Sequence, residues 1–172
     1  MANSEHLAQL LQGVSTWNDW RKQNAQVTPD LVGLDLHGMN FDRADLHDAQ
    51  LSGTNLSGDA LSNANLHHAH LNSANLTGAQ MAGDDLTDAE LRGATLIGAN
   101  LRQVDLTHAD LRGSNLIGVD FSHANLSYAD FRSANLSYAK LRAANLSHAN
   151  FRDADLSYAD FTDAQLLNAD LE

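Results

Sequence analysis

The chain has 172 residues, no cysteine, 43% hydrophobic residues and a formal charge of −12. That apolar content suffices for a packed core and excludes a disordered polymer, while the missing cysteines exclude disulfides, thiolate metal sites and a cysteine nucleophile. The charge opposes binding to a phosphate backbone, so no nucleic acid is expected as a direct partner.

The opening Met1-Ala-Asn-Ser-Glu-His lacks the basic region and apolar stretch of a secretory signal. No run approaches the roughly 18 apolar residues of a membrane span, so a cytoplasmic protein without a membrane role is expected. In the first element, Leu7, Leu10, Leu11 and Val14 lie at helical spacing, and Thr16-Trp17-Asn18-Asp19 reads as a capping box. Residues 4–24 are therefore expected to form one or two short helices, anchored by Trp17 and Trp20, within an N-terminal cap of residues 1–29.

From Leu31 the pattern changes. Every fifth residue from there to Leu171 is Leu, Phe or Met, without an insertion. The residue two before each centre is mostly Ala, the one before mostly Asn or Asp, and the two after are small or polar. A helix would spread a five-residue period around its circumference, and a flat strand would send alternate centres to opposite faces. A chain that turns a corner every five residues points all centres inward, which makes a solenoid of stacked repeats.

A second period sets the number of sides. Gly33, Gly53, Gly93 and Gly113 share one twenty-residue phase, and Gly38, Gly58, Gly78, Gly98 and Gly118 share another. Arg92, Arg112, Arg132 and Arg152 also recur every twenty residues, and all five phenylalanines sit on alternate centres. Four corners per coil fit all three patterns; three would scatter them.

This A(N/D)LXX frame resembles the pentapeptide repeat family over residues 31 to 171. The resemblance implies an all-β solenoid, a right-handed four-sided β-helix of about seven 20-residue coils with short strands on each side, here with a short α-helical N-terminal cap before residues 30–172. Coils stacked at ~4.8 Å would make a rod about 35 Å long. The family uses two kinds of corner, which implies type II turns at the two glycine columns and a change of turn where Tyr138 and Tyr158 continue one of them.

Departures from the repeat come next along the chain. Leu34 and Met39 replace alanine in the first coil and suggest a wide coil that receives the cap. Asp59 and Asp84 also replace alanine, at inward positions where a carboxylate needs backbone N–H partners. The column Asp48, His68, Asp88, His108, Tyr128, His148 could place neighbouring side chains on one metal, with His47, His67 and His70 close by. Its outward positions on a regular surface read instead as a solvated polar ladder, and no metal or cofactor is expected. Serines one after a centre, such as Ser127, Ser137, Ser147 and Ser157, are products of the repeat, and no catalytic residue or enzymatic activity is expected.

Three surfaces remain as candidates. Arg92, Arg112, Arg132 and Arg152 should interleave with Glu90, Asp110 and Asp130 as a charged docking face. Tyr128, Tyr138 and Tyr158 with His123 and His148 form a candidate interaction surface, since aromatics are favoured in interface hot spots. Phe161, Leu166, Leu167 and Leu171 leave an apolar end and suggest a tail-to-tail homodimer. The leading functional expectation is a non-enzymatic protein-interaction scaffold with an unknown partner. The alternative implied by the resemblance is an acidic DNA mimic that binds and protects DNA gyrase, as quinolone-resistance members do. Residues 30–91 carry ten acids against Arg43 alone, but residues 92–152 carry seven bases against four acids, so acidic rails would be interrupted.

Overall fold

The computed structural model describes residues 2–172. Each pentapeptide makes one side and one corner. The residue two after every centre, from Gly33 to Asn168, has a positive φ between 54° and 77°. The following N–H returns to the carbonyl of the centre, as in Ala139 N to Leu136 O at 2.9 Å. A positive φ at the third residue of such a four-residue turn is the type II pattern.

All corners share this conformation, which corrects two expectations. The glycine columns are not a separate class of turn, and Tyr138 and Tyr158 both have φ of 61°, so no change of turn occurs at them. A left-handed conformation costs an L-residue roughly 1–2 kcal/mol. Tyr138 N is held by the next coil, bonded to Ser157 O at 2.9 Å, whereas Tyr158 keeps the same φ with only the turn bond from Ala159 N to Leu156 O at 3.0 Å.

Parallel bridges join the residue before each centre to its counterpart twenty residues on, from Asp30↔Gln50 to Asn150↔Asp170. Four bridges per twenty residues establish four sides. Each side contributes a single bridged residue rather than the short strand expected, because the corners on either side consume the remaining residues.

The Leu136 repeat shows why Asn and Asp precede the centres. Leu136 N, Tyr138 N and Lys140 N bond to Asp155 O, Ser157 O and Val119 O in the neighbouring coils, and Ala139 N closes the turn. The fifth donor, Ser137 N, reaches Asn135 Oδ1 at 3.0 Å. The side chain therefore satisfies the one backbone N–H that stacking leaves over. Similar bonds run from Asp42 N to Asn40, Thr87 N to Asp85 and Arg132 N to Asp130.

Alanine two before the centre has an equally local reason. At alanines the turn-closing bond measures 2.8–3.2 Å, but it lengthens to 3.3–3.4 Å at Leu34, Asp59, Asp84 and Val104. Met39 N makes no bond to Leu36 O; it bonds instead to Asp59 Oδ1 at 2.9 Å. The lengthening is specific to these residues, since Val119 keeps its turn bond at 3.1 Å, and Met39 N takes its partner from the next coil.

The centres fill the interior, and all are buried from Leu31 through Phe151. Two all-leucine columns, starting at Leu36 and Leu46, face across the coil. Phenylalanines thicken the C-terminal half of the other two, with Phe131 and Phe151 stacked at 4.9 Å and Phe121 edge-on to Phe131 at 6.2 Å.

The open first coil is met by α1 (Ser4–Leu10) and α2 (Val14–Gln23). The expected capping box at Thr16–Asp19 does not exist: α2 starts at Val14, with Gly13 as N-cap at φ 101°. The tight reversal between the helices needs that glycine, and Asn18 is committed elsewhere. Asn18 Oδ1 accepts from Asp45 N at 2.8 Å, and Trp17 Nε1 donates to Asp45 O at 2.8 Å. On a neighbouring side, Asp30 N donates to His6 Nδ1 and Asp30 O accepts from Asn3 N. Arg21, fully buried, donates to the carbonyls of Val27 and His47. Side chains of the cap thus stand in for a preceding coil. Replacing Trp17 by Phe keeps most of the apolar anchor but leaves Asp45 O without its donor, and a loss of about 1–3 kcal/mol is expected in denaturant unfolding.

The two buried carboxylates differ. Asp84 Oδ1 accepts from Ala64 N at 3.1 Å, but that N–H already reaches Leu61 O at 2.8 Å, so Asp84 is redundant where Asp59 is not. Burial pushes Asp59 up to about 6 and Asp84 up to about 8, against the backbone donors that favour ionisation. Between about pH 4 and pH 8 the folded chain retains protons that the unfolded chain has released, so these two groups lower stability as pH rises through that window. Asp84→Ala should flatten this decline in a melting series, especially from pH 6 to 8. At pH 5, where both acids are largely protonated, Asp59→Ala should cost about 1–3 kcal/mol and more than Asp84→Ala, because it orphans Met39 N.

Candidate interaction surfaces

Because a coil is twenty residues, positions ten apart lie at opposite corners. Tyr128 therefore stands across the rod from Tyr138 and Tyr158, and His123 occupies a third corner between them. The residues expected to form one aromatic surface do not do so. Tyr138 and Tyr158 stack at 4.9 Å with an interplanar angle of 11°, and they are 60% and 80% exposed. On the opposite corner Tyr128 is sandwiched between His108 at 4.9 Å and His148 at 4.6 Å. Of the two histidines expected there, His148 joins Tyr128 and His123 joins no tyrosine.

The same column is acidic and imidazole-rich nearer the cap. His68 Nε2 lies 3.4 Å from Asp88 Oδ2, and His68 Nδ1 lies 3.9 Å from Asp48 Oδ1. His47 instead turns toward the cap, meeting Arg21 and Asp45.

The arginine ladder forms an alternating network. Asp110 receives Arg92 from the previous coil and Arg112 from its own, the latter through Nε at 2.9 Å and Nη2 at 2.7 Å. Arg132 Nη2 holds Asp130 at 2.6 Å, and Arg152 Nε lies 3.3 Å from Asp170. Glu90 is not part of it; it bonds Asn72 and approaches His70. A shallow surface cleft of about 430 Å³ lies along this face, lined by Arg112, Gly113, Arg132, Ser133 and Asp153. Burial works against ionisation of Asp110, but the hydrogen bonds from Arg112 and Arg92 outweigh it and bring the carboxyl down to about 2.

Leu166 and Leu171, which continue the core columns, are 37% and 53% exposed, and Leu167 is 66% exposed. Phe161 is half-buried, its ring edge-on to Phe151 at 6.4 Å.

Two family descriptions match the chain: pentapeptide repeats, in eight copies over residues 85–122, 114–152 and 134–172, and the pentapeptide repeat region over residues 32–101. The chain belongs to the pentapeptide repeat family. Among solved pentapeptide repeat proteins, a trypsin-treated form of QnrB1, a plasmid-mediated fluoroquinolone resistance protein, is 23% identical, with 81% of this chain and 83% of that one covered and a TM-score of 0.41. HetL, involved in heterocyst differentiation regulation in the cyanobacterium Nostoc, is 25% identical over 90% of this chain and 92% of its own, with a TM-score of 0.31. A thylakoid-lumen protein from Arabidopsis thaliana is 33% identical over 68% of each chain, with a TM-score of 0.34. No curated protein matches this chain.

Several polar residues of the repeat are absorbed by its own structure. Ser127, Ser137 and Ser147 donate their hydroxyls to Asn125, Asn135 and Asn145, two residues earlier on the same side. Asn ladders also cross the coils, as from Asn75 Nδ2 to Asn55 Oδ1 at 3.1 Å. These side chains brace the sides and are not free for chemistry.

The Asp110 network yields a test. Its folded carboxyl lies below the unfolded value, so the stability it contributes is present above about pH 4 and is lost as pH falls toward 2. Asp110→Asn should lower the melting temperature at pH 7 and low salt, and the deficit should shrink both at pH 2 and at 1 M salt.

Proposed function

We propose that this pentapeptide repeat protein is a non-enzymatic scaffold, cytoplasmic, that pairs tail to tail with a second copy and offers the Tyr138–Tyr158 corner to a protein partner. The observation that carries this reading is the asymmetry of the two ends. The first coil is closed by α1, α2 and side chains that satisfy its backbone, whereas the last exposes Leu166, Leu167 and Leu171. An apolar end of this kind is suited to burial against its own copy.

The tyrosine pair adds a second surface close to that end. Two large aromatics stand at positive φ, where glycine would relieve strain, and remain mostly exposed. Strained backbone supporting an exposed aromatic pair supports a binding role.

An acidic mimic of duplex DNA directed at DNA gyrase is the second reading, favoured by the ten acids against one arginine in residues 30–91. Farther along, Arg92, Arg112 and Arg132 neutralise the face that such a mimic would keep negative.

Light scattering at micromolar concentration should give the mass of a dimer for the wild type and of a monomer for Leu167→Asp/Leu171→Asp. A monomeric wild type would sink the tail-to-tail arrangement. Tyr138→Gly/Tyr158→Gly should fold and dimerise, since glycine suits both corners, yet lose a partner captured by the wild type. If that partner is gyrase and capture survives the tyrosine change, the DNA-mimic reading replaces the scaffold.

A further inference from the structure

On the corner column near the cap, His67, His68 and Asp88 converge. One ligand atom from each, two imidazole nitrogens and a carboxylate oxygen, lies within 4.8 Å of the others. The two rings tilt over one another with centroids 4.0 Å apart, and Asp88 enters from the next coil. The sequence places His68 and Asp88 in one column with His67 close by, an arrangement expected above to be a solvated ladder; the fold sets the His67 ring against that of His68.

We propose that this corner is a transition-metal site of the zinc class, with His67 and His68 as nitrogen ligands and Asp88 as the oxygen ligand. The donor set selects the ion. Two imidazoles and one carboxylate suit Zn²⁺ and its first-row neighbours, whereas Ca²⁺ and Mg²⁺ demand shells of oxygen. Tetrahedral zinc with bonds of about 2.0–2.1 Å sets ligand atoms roughly 3.3 Å apart, so modest side-chain rotations close the site and water completes it.

The surroundings fit that assignment. His68 directs Nε2 toward Asp88 at 3.4 Å, while Asp48 Oδ1 stands 3.9 Å from its other nitrogen, on the opposite side of the ring. With metal on Nε2, Nδ1 faces the Asp48 carboxylate at 3.9 Å, beyond hydrogen-bond length, and a shift of about 1 Å by Asp48 would complete the carboxylate–histidine–metal relay that orients a ligating imidazole. The backbone under the site is fixed by ladder bonds, Asp48 N to His67 O, His68 N to Thr87 O and Asp88 N to Thr107 O, each 3.0 Å. A metal here links two successive coils and adds to their cohesion by binding the folded state.

The test uses the untagged, metal-free full chain titrated with ZnCl₂ by calorimetry, alongside thermal melts. One zinc per chain is expected, with the melting temperature raised by about 5–10 °C when zinc exceeds Kd a hundredfold. His68→Gly and Asp88→Asn should each weaken binding by about tenfold or more. Their metal-free melting temperatures should stay near the wild type, because both replacements tolerate the positive φ of these corners. His108→Asn, one coil beyond Asp88 on the same column, should bind zinc like the wild type. In the wild type, zinc should shift the imidazole resonances of His67 and His68 in nitrogen-15 spectra. The proposal is overturned by the absence of saturable zinc binding, by wild-type affinity in His68→Gly, by equal affinity for Ca²⁺, or by zinc-shifted resonances confined to other histidines.

Discussion

The whole molecule depends on one exchange: each coil satisfies the backbone of the coil twenty residues away. Within a pentapeptide, three N–H groups go to neighbouring coils, one closes the turn, and the fifth goes to the Asn or Asp side chain. A corner every five residues would otherwise leave polar groups unpaired beside a core of leucine and phenylalanine, at a cost no centre's burial could offset. Positive φ at every corner is the strain the rod accepts for this satisfaction. At most corners occupied by Tyr, His or Ser the same residue is also held by an intercoil bond, as at Tyr128, Tyr138 and His148, whereas Asp153 and Tyr158 keep the conformation with the turn bond alone.

That exchange also organises the surface. Residues twenty apart become neighbours, so side chains of one type build columns: arginines alternating with aspartates, imidazoles with acids, tyrosines with tyrosines. Residues ten apart become opposites. The rod is thereby a frame on which different corners carry different side chains: the cluster proposed above as a metal site, the aromatic pair and the ion-pair network. The first and last described coils also differ. At the start, Trp17, Asn18, His6 and Arg21 imitate a preceding coil with side-chain groups. At the finish, the core columns run out at Leu166 and Leu171.

Most of the architecture was legible in the sequence. The five-residue spacing required inward centres, and the twenty-residue phases of Gly, Arg and Phe required four sides, because both follow from periodicity alone. The grouping of Tyr128 with Tyr138 and Tyr158 failed even though the same count of ten residues could have separated them. The capping box failed for a different reason: Thr16-Trp17-Asn18-Asp19 has the right letters, but α2 starts at Val14, two residues before Thr16, so Thr16 lies inside the helix, while Trp17 and Asn18 bond Asp45, a partner far away in the chain.

By itself, then, the sequence determined the repeat, the number of sides, the columns and the place of the cap, since a regular backbone turns position along the chain directly into position in space. Only the tertiary structure decided what the exceptions do. Asp59 supports Met39 whereas Asp84 duplicates an existing bond, Asp110 collects two arginines while Glu90 collects none, and His67 leans across to His68. Those outcomes turn on side-chain direction and on which backbone groups the neighbouring coil leaves free, and periodicity carries no information about either.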